Sequence, residues 1–384
     1  MASTNFSKKT CFALKDSLFK GHELNVLVIN PILYTSESSE IKKVSSIKDC
    51  MICDLCEAFV KAGCNVTLAA SSLFKPTNPE KYSFSVVWFD NYFPSLFKPN
   101  CLPFLKGLRR YLKANIDAYD LVISSEVFSL NTLVAYRVFR DKLVVWHELA
   151  KHNSIFRQIP SKLWYNVVAR LFMKDAKVVA RSVEARDFIR SFMRNVDDRI
   201  IEHGVNLDKF RISSQLRNQF IVCSQLILRK QVDGILLNFS RYLSKYDEDA
   251  RLFIVGDGEL RSQLESLCVD LGIGEKVTFT GRLTHAELMP LLSESMALLV
   301  NTVKDNNMVS IVESIACGVP VLTSEVPYNS SYIKSNGLGI AKTGWSEDDL
   351  HLMVSRQGEY RNACRKYRES LSTIRKAESF LDLV

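Results

Sequence analysis

Residues Thr302–Glu325, TVKDNNMVSIVESIACGVPVLTSE, decide how the rest of this 384-residue chain is read. An apolar strand, Met296–Val300, runs into a polar loop; a short helix is expected from Val309 to the glycine at 318, and a second strand follows over Val319–Thr323. The stretch places two carboxylates, Asp305 and Glu313, eight positions apart across the loop-to-helix transition. A polar loop between a strand end and a helix N-terminus favours an anionic group such as phosphate, because free amides and the helix dipole converge there. A carboxylate on the loop and another about two turns along can hold hydroxyls on either side of that group. The pattern points to a sugar-nucleotide ligand.

Working outward, short apolar runs alternate with helical-period segments, the signature of parallel α/β sheets. Expected strands in the first half are Glu23–Ile29, Asn65–Ala70, Phe84–Phe89, Leu121–Ser124, Lys142–Trp146 and Ala176–Ala180, with helices including Lys43–Lys61 and Leu105–Ala114. In the second half they are Gln219–Cys223, Ala250–Val255, Val277–Thr280, Met296–Val300 and Val319–Thr323, separated by helices over Val232–Tyr246, Glu259–Leu271 and Ala286–Ser293. The turn-rich stretch Gly204–Ser214 separates the halves. The expected organisation is therefore α/β, with two Rossmann-like lobes of doubly wound parallel sheet facing across a cleft. Residues 1–205 form one domain, 206–350 the second, and 351–384 a helical segment able to pack on either. In such sheets ligands bind at the carboxyl ends of the strands.

Charge divides the same way. Residues 1–205 hold 29 Lys and Arg against 20 Asp and Glu, while 206–384 hold 21 against 22, so the net +8 lives in the first half. A basic lobe suits an anionic acceptor or surface. No run reaches about 18 apolar residues, so no membrane span is expected. The basic N-terminal stretch lacks the features of a signal peptide. Ten scattered cysteines argue for reduced thiols in a cytosol. Cys50, Cys53 and Cys56 recur every three residues and read as one face of an amphipathic helix rather than a metal cluster.

Four pieces in the second half converge on one resemblance. Gly204-Val-Asn-Leu-Asp-Lys-Phe210, Val255-Gly-Asp-Gly-Glu-Leu-Arg261, Val277-Thr-Phe-Thr-Gly-Arg-Leu283 and the acidic pair with Ala316-Cys-Gly-Val-Pro-Val321 resemble, in order and spacing, motifs of family 4 (group 1) retaining glycosyltransferases of GT-B fold. The resemblance implies that Glu313 accepts hydrogen bonds from the donor ribose and that Asp305, in place of the family's first Glu, contacts the donor sugar. Lys230 matches the lysine that binds the donor diphosphate. Gln225 stands where an arginine is expected, leaving Arg229 or a first-lobe cation to supply the missing charge. Asn306, Asn307 and Met308 replace a Gly-Phe-Gly that lets backbone amides, with Val309, approach phosphate. His147, at a strand end, is with Asp305 the catalytic candidate.

On the acceptor side stand Glu126 and, in the loop after the first strand, Ser38 and Ser39, where family members carry Gly-Gly. The resemblance further implies a metal-independent transfer with no cofactor beyond the nucleotide diphosphate sugar, to a carbohydrate or glycolipid acceptor. Epimerisation on the same fold and a non-catalytic scaffold stay open beside it. Two stretches, Tyr92–Lys113 and Ile155–Tyr165, mix aromatics with cations and no acid. They read either as a face for an anionic membrane, which would make the protein cytoplasmic and peripheral, or as helices with a solvated basic side. No nucleic-acid module is recognisable.

Overall fold

The computed structural model describes residues 23–34, 46–97, 103–305 and 307–384. The first lobe contains β1 (Asn25–Ile29), α1 (Met51–Lys61), β2 (Asn65–Ser71), β3 (Ser85–Phe89), β4 (Asn91–Tyr92), β5 (Phe104–Leu105), α2 (Leu108–Ala114) and β6 (Leu121–Ser125). It continues through α3 (Leu130–Phe139), β7 (Leu143–His147), α4 (Ile159–Leu163), a wide helical turn over Trp164–Phe172, β8 (Lys177–Ala180), α5 (Val183–Arg190) and β9 (Val196–Ile200). Its strands form a seven-stranded sheet in the order β3-β2-β1-β6-β7-β8-β9, with every pair parallel.

The second lobe contains β10 (Gln219–Cys223), α6 (Val232–Lys245), β11 (Arg251–Val255), α7 (Arg261–Asp270), β12 (Val277–Gly281), α8 (His285–Ser293), β13 (Ala297–Leu299) and α9 (Val309–Ala316). Then come β14 (Val321–Thr323), α10 (Asn329–Asn336), β15 (Gly339–Ala341), α11 (Glu347–Ser355), α12 (Gln357–Tyr367) and α13 (Thr373–Leu381). Its six strands run in the order β12-β11-β10-β13-β14-β15, again all parallel.

Helices on both faces explain why the strands read as unbroken apolar runs. Val26 and Val28 face one layer of core with α1, while Leu27 and Ile29 face the other with α2 and α3. The second lobe repeats the arrangement, with Phe220 and Val222 on one side of β10 and Ile221 on the other. The thiols of Cys50, Cys53 and Cys56 lie in the first-lobe core, and Cys50 Sγ caps α1 by accepting from the Cys53 amide. Among the described residues, no three His, Cys, Asp or Glu are arranged to hold a metal, and no helix is long and apolar enough to cross a membrane.

Several elements depart from expectation. The segment Leu105–Ala114 becomes helical only at Leu108, because Gly107 takes the left-handed conformation and Phe104–Leu105 pairs with Asn91–Tyr92. The helix expected from Lys43 begins at Met51; residues 43–45 lie outside those described. Two edge strands were not anticipated. β9 carries Asp197, Asp198 and Arg199, and β15 is three residues long.

The C-terminal segment is not one helix. Leu350, Met353, Tyr360, Cys364 and Leu371 are buried in the second-lobe core, and the chain returns to the first lobe only from Ser372. There Ala377, Phe380 and Leu383 join the core around α1, Phe380 against Phe59 and Trp146. The return strand runs beside the outward crossing: the Val205 amide donates to Leu371 O at 2.9 Å, and the Thr373 amide to Val205 O at 3.0 Å. A Cβ at Gly204 would stand 2.9 Å from Leu371 O, so the two crossings fit together only with glycine there.

Phe380 is fully buried. Phe380→Ala should cost about 3–5 kcal/mol, the range for emptying an aromatic core site. Urea denaturation followed by tryptophan fluorescence would read the loss, because Trp146 packs on that ring.

Candidate functional site

The carboxyl ends of β10 and β13 and the start of α9 form the floor of the interlobe cleft. After Cys223 the chain turns through Ser224, Gln225 and Leu226, gripped by the turn after β11. The Leu226 amide donates to Asp257 O at 3.1 Å, and the Leu260 amide to Leu226 O at 3.0 Å. Gly256, at φ +136°, approaches so closely that a Cβ would stand 1.8 Å from Ser224 O, and one at Gly258 would stand 2.4 Å from Leu226 O. That approach is the physical need for the Gly-Asp-Gly turn. Gln225 is half-buried in the clamped loop. A tight turn over Leu228–Lys230 then presents two cations in succession, before Gln231 enters the left-handed region and α6 begins.

Both cations reach the loop after β13. Lys230 Nζ lies 2.7 Å from Asp305 Oδ2, and an Arg229 guanidinium nitrogen lies 2.7 Å from Oδ1. Thr302 Oγ1 is 2.6 Å from Oδ2. Further bonds lace the same pieces: the Arg229 guanidinium donates to Lys304 O at 3.0 Å, and the Val303 amide donates to Arg229 O at 2.9 Å. Burial opposes the charge on Asp305, but Lys230, Thr302 and Arg229 outweigh it and hold the carboxyl below its ordinary range.

Helix α9 starts at Val309 as expected, with Met308 as its N-cap residue. The Met308 side chain is buried in the second-lobe core, and its amide donates to Asn329 Oδ1 at 2.6 Å. One of the first amides of this helix therefore already has an acceptor. Val309 is half-buried. Glu313 lies about one turn further on, half-buried, and its carboxylate has no hydrogen-bond or ionic partner among the described residues. Burial first, and the charge of Asp54 on α1 second, push its pKa up to about 7. The Asp54 carboxylate itself meets Lys209 of the second lobe at 2.8 Å.

In the first lobe, the end of β7 is held in place by Glu126. This residue, at φ +68°, accepts from the Glu148 amide through Oε1 and lies 3.0 Å from His147 Nδ1 through Oε2. His147 is fully buried among Tyr165 and Phe188, and its Nε2 has no partner among the described residues. The next residue, Glu148, reaches the cleft instead. Arg181 donates to its Oε2 at 2.6 Å, stacks 3.8 Å over Trp146, and lies 2.7 Å from His203 Nε2. A guanidinium can only donate, so that nitrogen carries the lone pair of a neutral imidazole. Burial, then Arg181, lowers the His203 pKa accordingly. Despite burial, the Arg181 guanidinium holds Glu148 far below the usual carboxylate range.

A cavity of about 480 Å³ joins these groups: Glu148, Lys151 and Glu184 from the first lobe and Arg229, Asp305 and Tyr328 from the second. Asn307 bridges it, with Nδ2 donating to Arg181 O at 3.0 Å. Ser38, Ser39 and Asn306 lie outside the described residues. The structure thus sets Arg229 and Asp305 in the cavity wall with Lys230 buried behind them on Asp305, brings Asn307 across to the first lobe, and leaves His147 and Glu126 out of the cavity lining. Arg181, Thr302, Glu148, Glu184 and Tyr328 were not anticipated from sequence. Arg181 directly follows a strand at its carboxyl end, the one local signal that could have found it.

Two Rossmann-like lobes of parallel sheet, joined so that they share one cleft, are the GT-B fold of glycosyltransferases. Residues 208–369 match the family model described as glycosyl transferases group 1. The chain is 26% identical over 256 residues to the alpha-monoglucosyldiacylglycerol synthase of Streptococcus pneumoniae, covering 60% of this chain and 57% of that protein. It is 30% identical over 164 residues to a GDP-mannose-dependent alpha-(1-6)-phosphatidylinositol monomannoside mannosyltransferase of Mycobacterium tuberculosis, covering 38% and 42%. The matches span about half the length of these curated relatives. Among solved structures, Anabaena HepE in complex with UDP superposes with a TM-score of 0.67 at 15% identity, over 94% of this chain and 99% of that one.

Because the Glu313 pKa in the folded protein lies above that of an unfolded glutamate, the native state holds its proton more tightly. Its contribution to stability is therefore lost as pH rises from about 4.5 to about 7, and above that the fold carries a buried, unpaired charge. Glu313→Gln should raise stability by about 2 kcal/mol at pH 8 and by almost nothing at pH 4. Thermal melting at the two pH values checks the difference.

Proposed function

We propose that the protein is a retaining, metal-independent glycosyltransferase that moves a sugar from a nucleotide diphosphate donor to an acceptor hydroxyl. The observation that carries this reading is the second-lobe half of the cleft: Arg229 and Lys230 in the turn after β10, and an unpaired Glu313 on α9, the helix that follows the Asp305 loop. A carboxylate left without a partner at a cost to folding is fitted to a ligand that brings two hydroxyls, as a ribose does. The paired cations meet a diphosphate and stabilise the charge that grows on it as the glycosidic bond breaks. In a same-face transfer the departing diphosphate oxygen takes the acceptor proton, so the chain needs to orient its substrates rather than supply a nucleophile. Glu148 and Glu184 lie across the cavity, on the side from which the acceptor enters.

Lys230→Ala and Glu313→Ala should each lower transfer at least a hundredfold when a panel of UDP- and GDP-sugars is assayed. Transfer by wild-type protein should persist in EDTA, and the product should keep the donor's anomeric configuration by NMR. Nucleotide binding with no transfer to any acceptor would leave only a binding protein. Ribose hydroxyls donate to the ionised form of Glu313, so donor affinity should fall about tenfold per pH unit below 7 and level off above it.

The acceptor reading is a glycolipid at an anionic membrane. Ile159, Leu163, Val167 and Leu171 recur every four residues along α4 and the turn after it, and all four are exposed, as are Phe156 and Phe172. Arg157, Lys162, Arg170 and Lys174 flank them, with no acidic residue between 155 and 174. An apolar cavity of about 200 Å³, lined by Leu96, Phe97, Phe128 and Pro160, opens beside this stripe. Apolar side chains backed by cations match the interface of an anionic bilayer. Two of the relatives are named for glycolipids, one a synthase of monoglucosyldiacylglycerol and one a mannosyltransferase of phosphatidylinositol monomannoside, which supports the same reading. Vesicles containing phosphatidylglycerol should float the wild-type protein at low salt. The double variant Leu163→Glu, Leu171→Glu should stay in the pellet while still binding nucleotide.

A further inference from the structure

The carboxylate of Asp305 sits where the two cations of the donor site converge. Each of its oxygens has its own cation at 2.7 Å, and Thr302 adds a third contact at 2.6 Å. The Asp305 side chain is 14% exposed and that of Lys230 is 10% exposed, so little water screens that pair, while Arg229, at 32%, approaches from the solvent side. The carboxylate thus satisfies the very groups that a donor diphosphate would need. An ammonium and a guanidinium directed at one anion cannot neutralise a second in the same place without releasing the first.

We propose that Asp305 is an internal occupant of the diphosphate seat, displaced when a nucleoside diphosphate binds, and that this exchange lowers the apparent affinity for the diphosphate. The proposal rests on the donor-site reading above and adds a rule to it. A ligand enters only if its charge replaces what it expels. A diphosphate brings more negative charge than the carboxylate it removes, whereas a nucleoside brings none. The apparent affinity for diphosphate is reduced by the fraction of time the seat stands open; a seat open about a tenth of the time weakens binding about tenfold. Displacement also frees the Asp305 carboxylate beside the bound diphosphate, where the donor sugar begins.

Asp305→Asn removes the competing charge and keeps the shape. Titration calorimetry with UDP, GDP and ADP should show the bound diphosphate held about tenfold more tightly than by wild type. The affinity for the matching nucleoside should be unchanged, and transfer at saturating donor should fall. Thr302→Val, which loosens the carboxylate without changing charge, should tighten diphosphate by a smaller factor and decides the matter if melting shows the Asn variant unfolded. Equal or weaker diphosphate binding by a folded Asp305→Asn protein, or equal tightening for the nucleoside, overturns the exchange. If wild type binds a diphosphate and Glu313→Gln does not weaken it, the donor-site reading has failed instead. If neither wild type nor either variant binds any diphosphate, both fall together.

Discussion

The whole arrangement depends on two chain crossings lying side by side. Val205 leads out of the first lobe and Thr373 leads back into it, and a pair of backbone hydrogen bonds to Leu371 and Val205 zips them together. Gly204 permits their approach, and Phe380 anchors the returning helix against Phe59 and Trp146. Because both connections pass through one narrow zone, the carboxyl edges of two independent sheets face each other over a common gap. Neither sheet alone has both the turn that carries Arg229 and Lys230 and a wall opposite it. The cleft is a product of the crossings.

Across that gap the charges are unequally settled. Asp305 is fully engaged and its carboxyl is held low, whereas Glu313, eight residues on, is half-buried, unpaired among the described residues and pushed up to about 7. The same contrast appears in the first lobe. Glu148 is held ionised by Arg181, while His147 is enclosed with an unpartnered Nε2. Groups with settled partners shape the wall, and the unsettled carboxylate marks where a ligand would complete the structure.

Most of the fold was legible in the sequence because parallel strands covered on both faces leave unbroken apolar runs, as in Val26–Ile29 and Phe220–Val222. The edge strands were not, since β9 needs no second buried face and tolerates Asp197 and Asp198, and β15 is too short to show a period. The acidic pair and Lys230 could be read from spacing along the chain. The contact of Lys230 with Asp305 could not, because it joins residues 75 apart through the pairing of β10 with β13. For the same reason Tyr328, which lines the cavity, and Arg181, which holds Glu148 there, left no pattern to read. Leu350–Val384 looked like one helical tail, yet only its part beyond Ser372 belongs to the first lobe; helix period says nothing about which core a helix joins.

One small contact has a consequence for motion. Asn307 belongs to the loop that carries Asp305, but its amide nitrogen donates to the backbone of Arg181 in the other lobe, while its own Oδ1 is buried without a partner among the described residues. The lobes cannot part without either severing that bond or peeling the loop from its own sheet. Breathing of the whole molecule and the shape of a single loop are thereby one event, so whatever docks beneath Asn307 also senses how far the two halves stand apart.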